Sequence, residues 1–415
     1  MTNIAILGFG VVGGGVADVF TKNAESIARR AGGSVNIKYI LDLREFPGHP
    51  LGNRVIHDIN IILNDPEVTI VAEMMGGAHP AFDYSLACLN AGKSVVTSNK
   101  QVVSTFGAEL LDAARSHGVR YLFEASVGGG IPVIRPISQC LAANELYEID
   151  GILNGTTNYI LTKMFRENVT FSDALAEAQA KGYAERDPKA DVEGIDACRK
   201  ISILSALAFG KLFNPDDIPT EGITGITAAD VKAAEMWGGV IKLIARTGLE
   251  KPDDPASKVF ACVSPCVVPH ENPISGVDDV YNAITVCGNA VGDVMFYGRG
   301  AGNLPTASAV AGDILDIIIH KNGAPAVPVW VPADKSQLSD STLLPARFLV
   351  SFRDAEPSEV RALGTRLRVT DYMEDTEDEN NCCAFVTDVT TERALREQLS
   401  SVNAAYTLFP VLARP

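Results

Sequence analysis

A glycine-rich turn near the N-terminus places the strongest limit on the fold. The short apolar run 3–8, NIAILG, is followed by Gly8, Gly10 and Gly13 in the spacing G-x-G-x-x-G, and then by a plausible helix over 16–30. Glycines at this spacing allow a tight turn, a close approach of backbone to a pyrophosphate, and close packing of a helix on a strand. The helix N-terminus would face the phosphates. In this context the motif predicts a dinucleotide-binding turn.

Strand-like runs alternate with helical segments over roughly the first 125 residues. The expected strands are 35–41, 68–73, 94–100 and 120–124, and the expected helices are 79–91 and 105–117. This alternation is typical of an α/β fold with a doubly wound parallel sheet. We therefore expect a Rossmann domain over 1–130, completed by a helix at about 305–320.

The end of the second expected strand bears on the choice of cofactor. Asp42 follows that strand directly, and an acidic side chain there usually binds the ribose 2′-hydroxyl, which favours NAD. Arg44, two residues later, could instead meet a 2′-phosphate. The two signals conflict, so the sequence leaves NAD and NADP both open, with a slight preference for NAD.

Two further segments end strands on the same edge of the expected sheet. Residues 74–77, MMGG, follow the third strand, and cofactors bind at the carboxyl ends of strands in open α/β sheets. Lys100 would close the strand 94–100 on this edge. It is either an exposed surface lysine or a cation near cofactor and substrate.

A charged stretch over 182–200, GYAERDPKADVEGIDACRK, is the strongest candidate for chemistry. Read as a helix from about Asp191, it places Asp196 and Lys200 one turn apart on one face. An ammonium sheltered among carboxylates could hold the amine of an amino acid and donate a proton beside it. The plainer interpretation is a solvated, charged helix start.

Another glycine-rich turn, 124–134, follows the expected Rossmann strands. Its exposed carbonyls and the Glu124 carboxylate could hold a hard monovalent cation. The alternative is a flexible crossover between domains, which the sequence by itself favours.

The remaining chain lacks the parallel βαβ rhythm. Of the apolar runs at 238–247, 257–268 and 283–297, two are β-branched and alternating enough to predict strands of an antiparallel or mixed sheet. We expect an α+β substrate-binding, catalytic and dimerisation domain over 131–304. Residues 322–345 are rich in Pro, Ser and Asp and predict a linker, and 346–415 predict a βαββαβ, ferredoxin-like module with an acidic loop at 374–381.

Composition narrows the partners. The net charge is −16 and the isoelectric point is about 4.9, and this acidity argues against a nucleic-acid partner. No apolar run reaches the length of a membrane span, and the glycine-broken N-terminus does not resemble a signal peptide. Eight scattered cysteines in mostly apolar contexts are typical of reduced thiols, so a cytoplasmic location is expected.

Seven segments together resemble homoserine dehydrogenase. They are GFGVVGGGV, EMMGG, TSNK, EASVGGGIP, NGTTNYI, GYAERDPKADVEGIDACRK and RGAGNLPTASAVAGD, in the family's order from residue 4 to about 318. The resemblance implies reversible reduction of L-aspartate 4-semialdehyde to L-homoserine with NADH or NADPH, in threonine and methionine biosynthesis. It also implies a homodimer or homotetramer.

The resemblance assigns roles to individual residues. Lys200 matches the proton donor, with Asp196 and Lys100 as further catalytic residues. The residues matching substrate contacts are Glu185, Asp191, Asp196, Tyr183 and Thr156. Those matching cofactor contacts are Gly8, Phe9, Gly10, Val11, Val12, Gly13, Asp42, Arg44, Met75, Gly76, Thr97, Lys100, Gly182 and Gly302. Glu124, with the carbonyls of Val127, Gly129 and Ile131, matches a sodium site.

The tail resembles an ACT domain, an amino-acid-sensing module. Its first strand is followed by RDAEPSEV and lacks the Pro-Gly turn usual before the helix, so we expect weak threonine inhibition or none. The N-terminal sheet also departs from the family pattern. Its second expected strand ends ILDL at 40–43 and lacks the arginine before aspartate that many NADP-using relatives have, which weakens a prediction of NADP. We expect the tail to be dispensable for chemistry.

Two other functions compete with this interpretation. A phosphorylating semialdehyde dehydrogenase needs a cysteine nucleophile activated near a histidine. Cys198 is the only cysteine in the charged stretch, and helical spacing points it away from Asp196 and Lys200. A non-catalytic nucleotide-binding regulator of the same fold is the second alternative, although it would not need Lys200, Asp196 and Glu185.

Overall fold

The computed structural model describes residues 1–321, 328–353, 355–369, 371–375, 382–400 and 402–412. The elements of its first part are β1 (Thr2–Leu7), α1 (Val11–Lys22), α2 (Ala24–Ala31), β2 (Val35–Leu41), β3 (Val55–Ile56), α3 (Ile59–Leu63), β4 (Val68–Glu73), α4 (Ala81–Asn90), β5 (Ser94–Thr97), α5 (Lys100–Ser116) and β6 (Tyr121–Leu122). The six strands form one parallel sheet in the order β3-β2-β1-β4-β5-β6. The doubly wound parallel sheet expected from the βα alternation is therefore present.

Alternate residues of β1 face opposite sides of this sheet. Ile4 and Ile6 pack in one apolar cluster with α1 and α2, whereas Ala5 and Leu7 pack in another with α4 and α5. This alternation is that of a strand covered by helices on both faces. The buried strands therefore fix the positions of the loops that follow their carboxyl ends.

Two expected boundaries in this sheet were wrong. The helix expected over 16–30 is two helices, and α1 already starts at Val11, because the glycines after Gly10 lie inside the helix rather than in the turn. The strand expected over 94–100 ends at Thr97, and Lys100 begins α5. Asn99 separates the two elements, since its Oδ1 accepts the Val102 N–H at 3.2 Å as a helix N-cap.

A second sheet follows in the chain. The elements here are β7 (Leu146–Ile152), α6 (Gly155–Glu167), α7 (Phe171–Ala180), α8 (Lys189–Val192), α9 (Ile195–Phe209), β8 (Lys211–Phe213), α10 (Ala228–Trp237), β9 (Gly239–Leu249), β10 (Val259–Pro269), β11 (Tyr281–Gly288), β12 (Gly292–Arg299) and α11 (Asn303–Ile319). Five strands pair antiparallel in the order β10-β9-β7-β11-β12, and α9 packs on this sheet. The third apolar run, 283–297, is a hairpin rather than one strand.

The chain then returns to the first sheet through α11. Ala307, Val310 and Ile314 pack in the same cluster as Ile4 and Ile6. The approach to α1 is close, because a Cβ added at Gly15 would lie 1.9 Å from the Asn303 Oδ1. A helix from beyond residue 300 thus covers one face of the N-terminal sheet.

The C-terminal part contains β13 (Val331–Ala333), β14 (Pro345–Ala346), β15 (Phe348–Arg353), α12 (Pro357–Leu367), β16 (Asp371–Asp375), β17 (Cys382–Val386), β18 (Thr390–Thr391), α13 (Glu392–Leu399) and β19 (Ala405–Pro410). Four of its strands pair antiparallel in the order β16-β17-β15-β19, the ferredoxin-like arrangement of a βαββαβ chain. Most of the expected acidic loop, 376–381, lies outside the described residues.

The segment expected to be a linker is ordered over its described part, 328–345. β13 pairs parallel with β8, and Trp330 is buried against α5, 5.1 Å from the ring centroid of Phe123. Residues 322–327 lie outside the described residues. Within the described chain, no helix combines the length and apolarity needed to cross a membrane.

Candidate functional site

The glycine turn between β1 and α1 is closely packed at two of its three motif glycines. Gly8 has φ +87°, and a Cβ there would lie 2.9 Å from the Met74 carbonyl oxygen. A Cβ at Gly13 would lie 2.1 Å from the Gly8 carbonyl oxygen, whereas Gly10 has open space around it. Gly10 is also the N-cap of α1 and supplies no side-chain cap, so the first N–H groups of the helix are available to an anion.

Asp42 is tied to this turn. Its Oδ2 accepts the Phe9 N–H at 2.7 Å, and its Oδ1 accepts the Arg44 N–H at 2.9 Å. The Arg44 guanidinium also donates to both oxygens, at 3.0 and 3.1 Å. The hydrogen bonds of Arg44, with that of Phe9, lower the pKa of Asp42 to about 2 against the effect of burial. Asp42 is therefore an ionised group facing the turn at neutral pH.

The loops after β4 and β5 lie side by side on the same edge. Asn99 Nδ2 donates to the Met75 carbonyl at 3.2 Å and to the Gly77 carbonyl at 2.8 Å. Thr97 is buried at the end of β5. The structure thus brings the expected cofactor residues of these two loops, Met75, Gly76, Thr97 and Lys100, to one edge.

Lys200 of α9 and Lys100 of α5 both contact Asp196. The Lys200 Nζ lies 2.7 Å from the Asp196 Oδ2 and donates to the Leu153 carbonyl at 2.6 Å. The Lys100 Nζ lies 2.5 Å from the other oxygen, Asp196 Oδ1. Lys200 and Asp196 are buried in the first turns of α9, while Lys100 is half-exposed at the start of α5. The cluster therefore joins the start of α5, which follows a strand of the parallel sheet, to α9, which packs on the antiparallel sheet.

The charged groups in this cluster shift one another's pKa values. Burial lowers the pKa of Lys200, and the Asp196 carboxylate offsets this only in part. Burial also opposes the charge on Lys100, but Asp196 outweighs it and the pKa of Lys100 is raised. Burial opposes ionisation of Asp196 as well, yet Lys200 and Lys100 together hold its pKa below its ordinary value. Lys200 is thus the ammonium that gives up its proton more readily.

Asn154 belongs to the cluster although the sequence did not single it out. Its Nδ2 donates to the Asp191 Oδ1 at 2.7 Å and to the Asp196 Oδ2 at 2.9 Å, and its Oδ1 caps α6 through the Thr157 N–H. Asp191 lies in the short helix α8, separated from α9 by the left-handed Gly194, and not at the start of one continuous helix. Burial raises the pKa of Asp191. The only sequence signal for Asn154 was the helix start NGTT.

Three expected substrate residues, Glu185, Tyr183 and Thr156, are not among the hydrogen-bond partners of Lys200, Asp196 and Lys100 in the described part of the chain. Glu185 and Tyr183 are exposed on the loop after α7. The Thr156 hydroxyl donates to the Tyr183 carbonyl at 2.8 Å, which anchors that loop to α6. Gly182 and Gly302 both have positive φ, +73° and +128°, and Gly302 is the N-cap of α11.

The turn expected to bind a cation is buried and constrained rather than a flexible crossover. Val127 and Ile131 are buried, and Gly128 and Gly129 have φ +74° and +57°. The Glu124 carboxylate accepts three backbone N–H groups, those of residues 133, 134 and 135, at 2.6, 2.8 and 2.8 Å. That carboxylate is engaged with the chain itself. Among the described residues, no group of three or more His, Cys, Asp or Glu is placed to hold a metal.

Comparison with known proteins agrees with this geometry. The family models "Homoserine dehydrogenase, NAD binding domain" and "Homoserine dehydrogenase" match residues 8–124 and 132–315. A homoserine dehydrogenase of Pseudomonas aeruginosa is 41% identical over 344 residues, which are 82% of this chain and 78% of that protein. The structure of a homoserine dehydrogenase from Thiobacillus denitrificans superposes with a TM-score of 0.87 at 33% identity, covering 99% of this chain and 98% of that one. A hyperthermophilic archaeal homoserine dehydrogenase mutant in complex with NADPH superposes with a TM-score of 0.63 at 28% identity, covering 76% and 97%. The chain therefore belongs to the homoserine dehydrogenase family of NAD(P)-dependent oxidoreductases.

Proposed function

We propose that Lys200 is the proton donor in the reduction of L-aspartate 4-semialdehyde to L-homoserine, and that Asp196 and Lys100 hold it in place. The observation behind this assignment is the contact of buried Asp196 with Lys200 at 2.7 Å and with the half-exposed Lys100 at 2.5 Å. It lies beside the edge where α/β sheets bind cofactors. A bound nicotinamide supplies the hydride in this family of reactions.

The hydrogen bonds of Lys200 leave one donor for substrate. An ammonium has three N–H groups, and two of them go to the Leu153 carbonyl and to Asp196. The third is left for the aldehyde oxygen of a bound substrate. As that oxygen becomes an alkoxide, the ammonium stabilises the charge and then donates its proton. Burial, which lowers the pKa of Lys200, favours this donation.

Lys100 has a supporting role in this scheme. Its raised pKa keeps it charged, and so Asp196 stays ionised and oriented when Lys200 becomes neutral. Asp191, held by Asn154 at 2.7 Å, is the carboxylate we assign to the substrate ammonium. Glu185, Tyr183 and Thr156 would complete the substrate site by movement of the exposed loop that carries the first two.

We assign both nicotinamide cofactors to the glycine turn. Asp42 favours the ribose hydroxyls of NAD. Arg44 is exposed, and it would leave its contacts with Asp42 to meet a 2′-phosphate. Gly8 to Gly13, Met75, Gly76, Thr97, Gly182 and Gly302 would contact the rest of the cofactor. A monovalent cation at the second glycine turn would be held by backbone carbonyls of Glu124, Val127, Gly129 and Ile131, since the Glu124 carboxylate already accepts backbone N–H groups.

The remaining assignments concern architecture. We propose a cofactor domain over 1–130 with α11, a substrate and dimerisation domain over 131–304, and an ACT-type domain over 346–415. β12 is an edge strand with Met295 and Tyr297 exposed, which supports a dimer formed through this sheet. Cys198 does not support the phosphorylating alternative, because it is buried, its Sγ lies 3.3 Å from the Pro215 carbonyl, and burial raises its pKa.

The direct test is the oxidation of NADH and NADPH on addition of aspartate semialdehyde, followed by absorbance. Turnover that does not require phosphate, and that reverses with homoserine at alkaline pH, is the expected result. Reduction of NAD+ or NADP+ by aspartate semialdehyde that requires phosphate would instead support the phosphorylating dehydrogenase, which oxidises the aldehyde to an acyl phosphate. Cofactor binding without turnover would support the non-catalytic regulator.

A further inference from the structure

One buried carboxyl on the cofactor edge has no part in the scheme above. Glu73 is the last residue of β4 and is fully buried. No ion pair involves it in the described part of the chain. A buried carboxyl without a cation is costly unless hydrogen bonds stabilise it, so the hydrogen-bond partners of Glu73 decide what it can do.

The hydrogen bonds of Glu73 join the two cofactor loops. Its Oε1 accepts the Met75 N–H at 2.6 Å, and its Oε2 accepts the Thr97 hydroxyl at 2.6 Å. The Thr97 oxygen in turn accepts the Asn99 N–H at 2.9 Å. Because Asn99 supplies the hydrogen of that second contact, the hydroxyl proton of Thr97 is free to point at Glu73.

The same hydrogen bonds reach the catalytic cluster. Asn99 caps α5 and donates to carbonyls of the loop after β4. Lys100 follows it in the chain and lies 2.5 Å from Asp196. Glu73 is therefore linked through Thr97 and Asn99 to Lys100, the lysine that orients Asp196.

We propose that Glu73 is a positioning residue whose carboxylate fixes the Thr97 hydroxyl and the Met75 amide, and thereby holds the cofactor edge in register with Lys100. This inference rests on the proposed function only for the role of Lys100. When Glu73 takes up a proton, the acid must donate to the Thr97 oxygen. The Thr97 hydroxyl then turns away from Glu73, toward the cofactor side.

Protonation of Glu73 falls within the physiological range. Burial raises its pKa to about 7, although hydrogen bonds from Thr97 and Met75 pull it down. The other titratable group facing it is Tyr121 of β6. Burial, with the Glu73 charge adding, raises the pKa of Tyr121, so the phenol stays neutral. We therefore expect cofactor affinity to weaken as the pH falls through about 7.

The test compares Glu73→Gln with the wild-type protein across pH 6 to 8.5, by fluorescence titration with NADH and NADPH. The amide resembles a permanently protonated acid, so one of the two acceptors is lost. Relative to wild type, affinity should fall about 5- to 10-fold at pH 8, as for one or two hydrogen bonds. The difference should shrink toward none at pH 6, where the wild type is itself protonated. A difference that is constant with pH, or absent throughout, overturns the proposal.

Two further variants keep the test decisive if Glu73→Gln folds poorly. Thr97→Ser retains the hydroxyl and should keep the pH dependence, whereas Thr97→Val removes the hydroxyl and should abolish it. If the pH dependence of cofactor affinity is lost in both Thr97 variants, or is retained in both, the role of the hydroxyl is contradicted. Glu67→Gln, a surface change beside the start of β4, is the matched control and should bind as wild type. Wild-type turnover in the same buffers separates this result from the proposed function, because cofactor binding is measured without substrate.

Discussion

Replacing Lys200 with methionine tests the proposed proton donor with little change in shape. The substitution removes the contacts to the Leu153 carbonyl, 2.6 Å, and to Asp196, 2.7 Å. Asp196 keeps Lys100 at 2.5 Å and Asn154 at 2.9 Å, so no buried carboxylate is left without a partner. The fold should therefore persist and the loss should fall on the chemical step.

Its magnitude follows from general acid catalysis. A positioned acid contributes about 10²–10⁴-fold, or roughly 2.7–5.4 kcal/mol of barrier at about 1.36 kcal/mol per decade. We expect the lower half of this range, about 10²–10³-fold in kcat, because Lys100 still provides a positive charge beside Asp196. Cofactor affinity should not change, since Lys200 faces the second domain's side of the junction.

Initial rates with aspartate semialdehyde give kcat, and fluorescence titration gives cofactor affinity. In the oxidation of homoserine, Lys200 must be neutral, so the rate should rise with pH. The apparent pKa of that rise should lie below the value of about 10.4 for a free lysine, because burial lowers the pKa of Lys200. Lys189→Met removes an exposed lysine on α8 and is the control that should retain full activity. A near-normal kcat in Lys200→Met, or an unchanged pH profile, would refute the assignment.

Three other outcomes follow from the structure. Asp42→Ala should lower the ratio of kcat/KM for NADH over NADPH and Arg44→Ala should raise it; an unchanged ratio in the first variant would mean that β2 does not read the ribose. Burial raises the pKa of Glu73 to about 7, and burial with the nearby Glu124 charge raises that of Asp313, a buried residue of α11, to about 7. The native state therefore binds more protons than the unfolded chain between about pH 4 and 7, and stability falls as pH rises through that window. The Tm should therefore be higher at pH 6 than at pH 8 by calorimetry, and less so in Glu73→Gln; an equal pH dependence in both proteins would contradict a protonated Glu73. A variant ending at Leu338 should retain turnover but unfold at lower temperature, because β15, β16 and β17 of the tail pack on α10, with Arg353 paired to Asp230 at 3.3 Å. Dissociation to monomers with loss of activity, by light scattering, would make the tail part of the assembly.

The parallel sheet was predictable because its strands are continuous apolar runs punctuated by glycine turns. The boundary at Lys100 was not, because SVVTSNK has the β-branched composition of a longer strand. What ends that strand is the Asn99 side chain, which bonds to the backbone of the helix that follows. Local propensity does not distinguish a polar strand end from a helix cap when both read as Ser-Asn.

Part of the candidate site was likewise predictable from the sequence, and part was not. Asp196 and Lys200 are four residues apart, and helical spacing by itself placed them on one face. Asn154 and Lys100 join them through contacts between residues that are distant in sequence, 42 residues for Asn154 and Asp196. Glu73 was hidden for another reason, since a single acidic residue at the end of an apolar strand gives no sign of whether it faces solvent or the interior.

The position of α11 has a consequence for synthesis of the chain. The sheet face that contains Ile4 and Ile6 is covered partly by a helix that begins at Asn303, after the whole second domain. On the ribosome, the N-terminal strands therefore emerge long before the helix that buries them. The first domain cannot finish folding before the second is translated, so a fragment that stops at the end of the parallel sheet would expose an apolar face and be prone to aggregate.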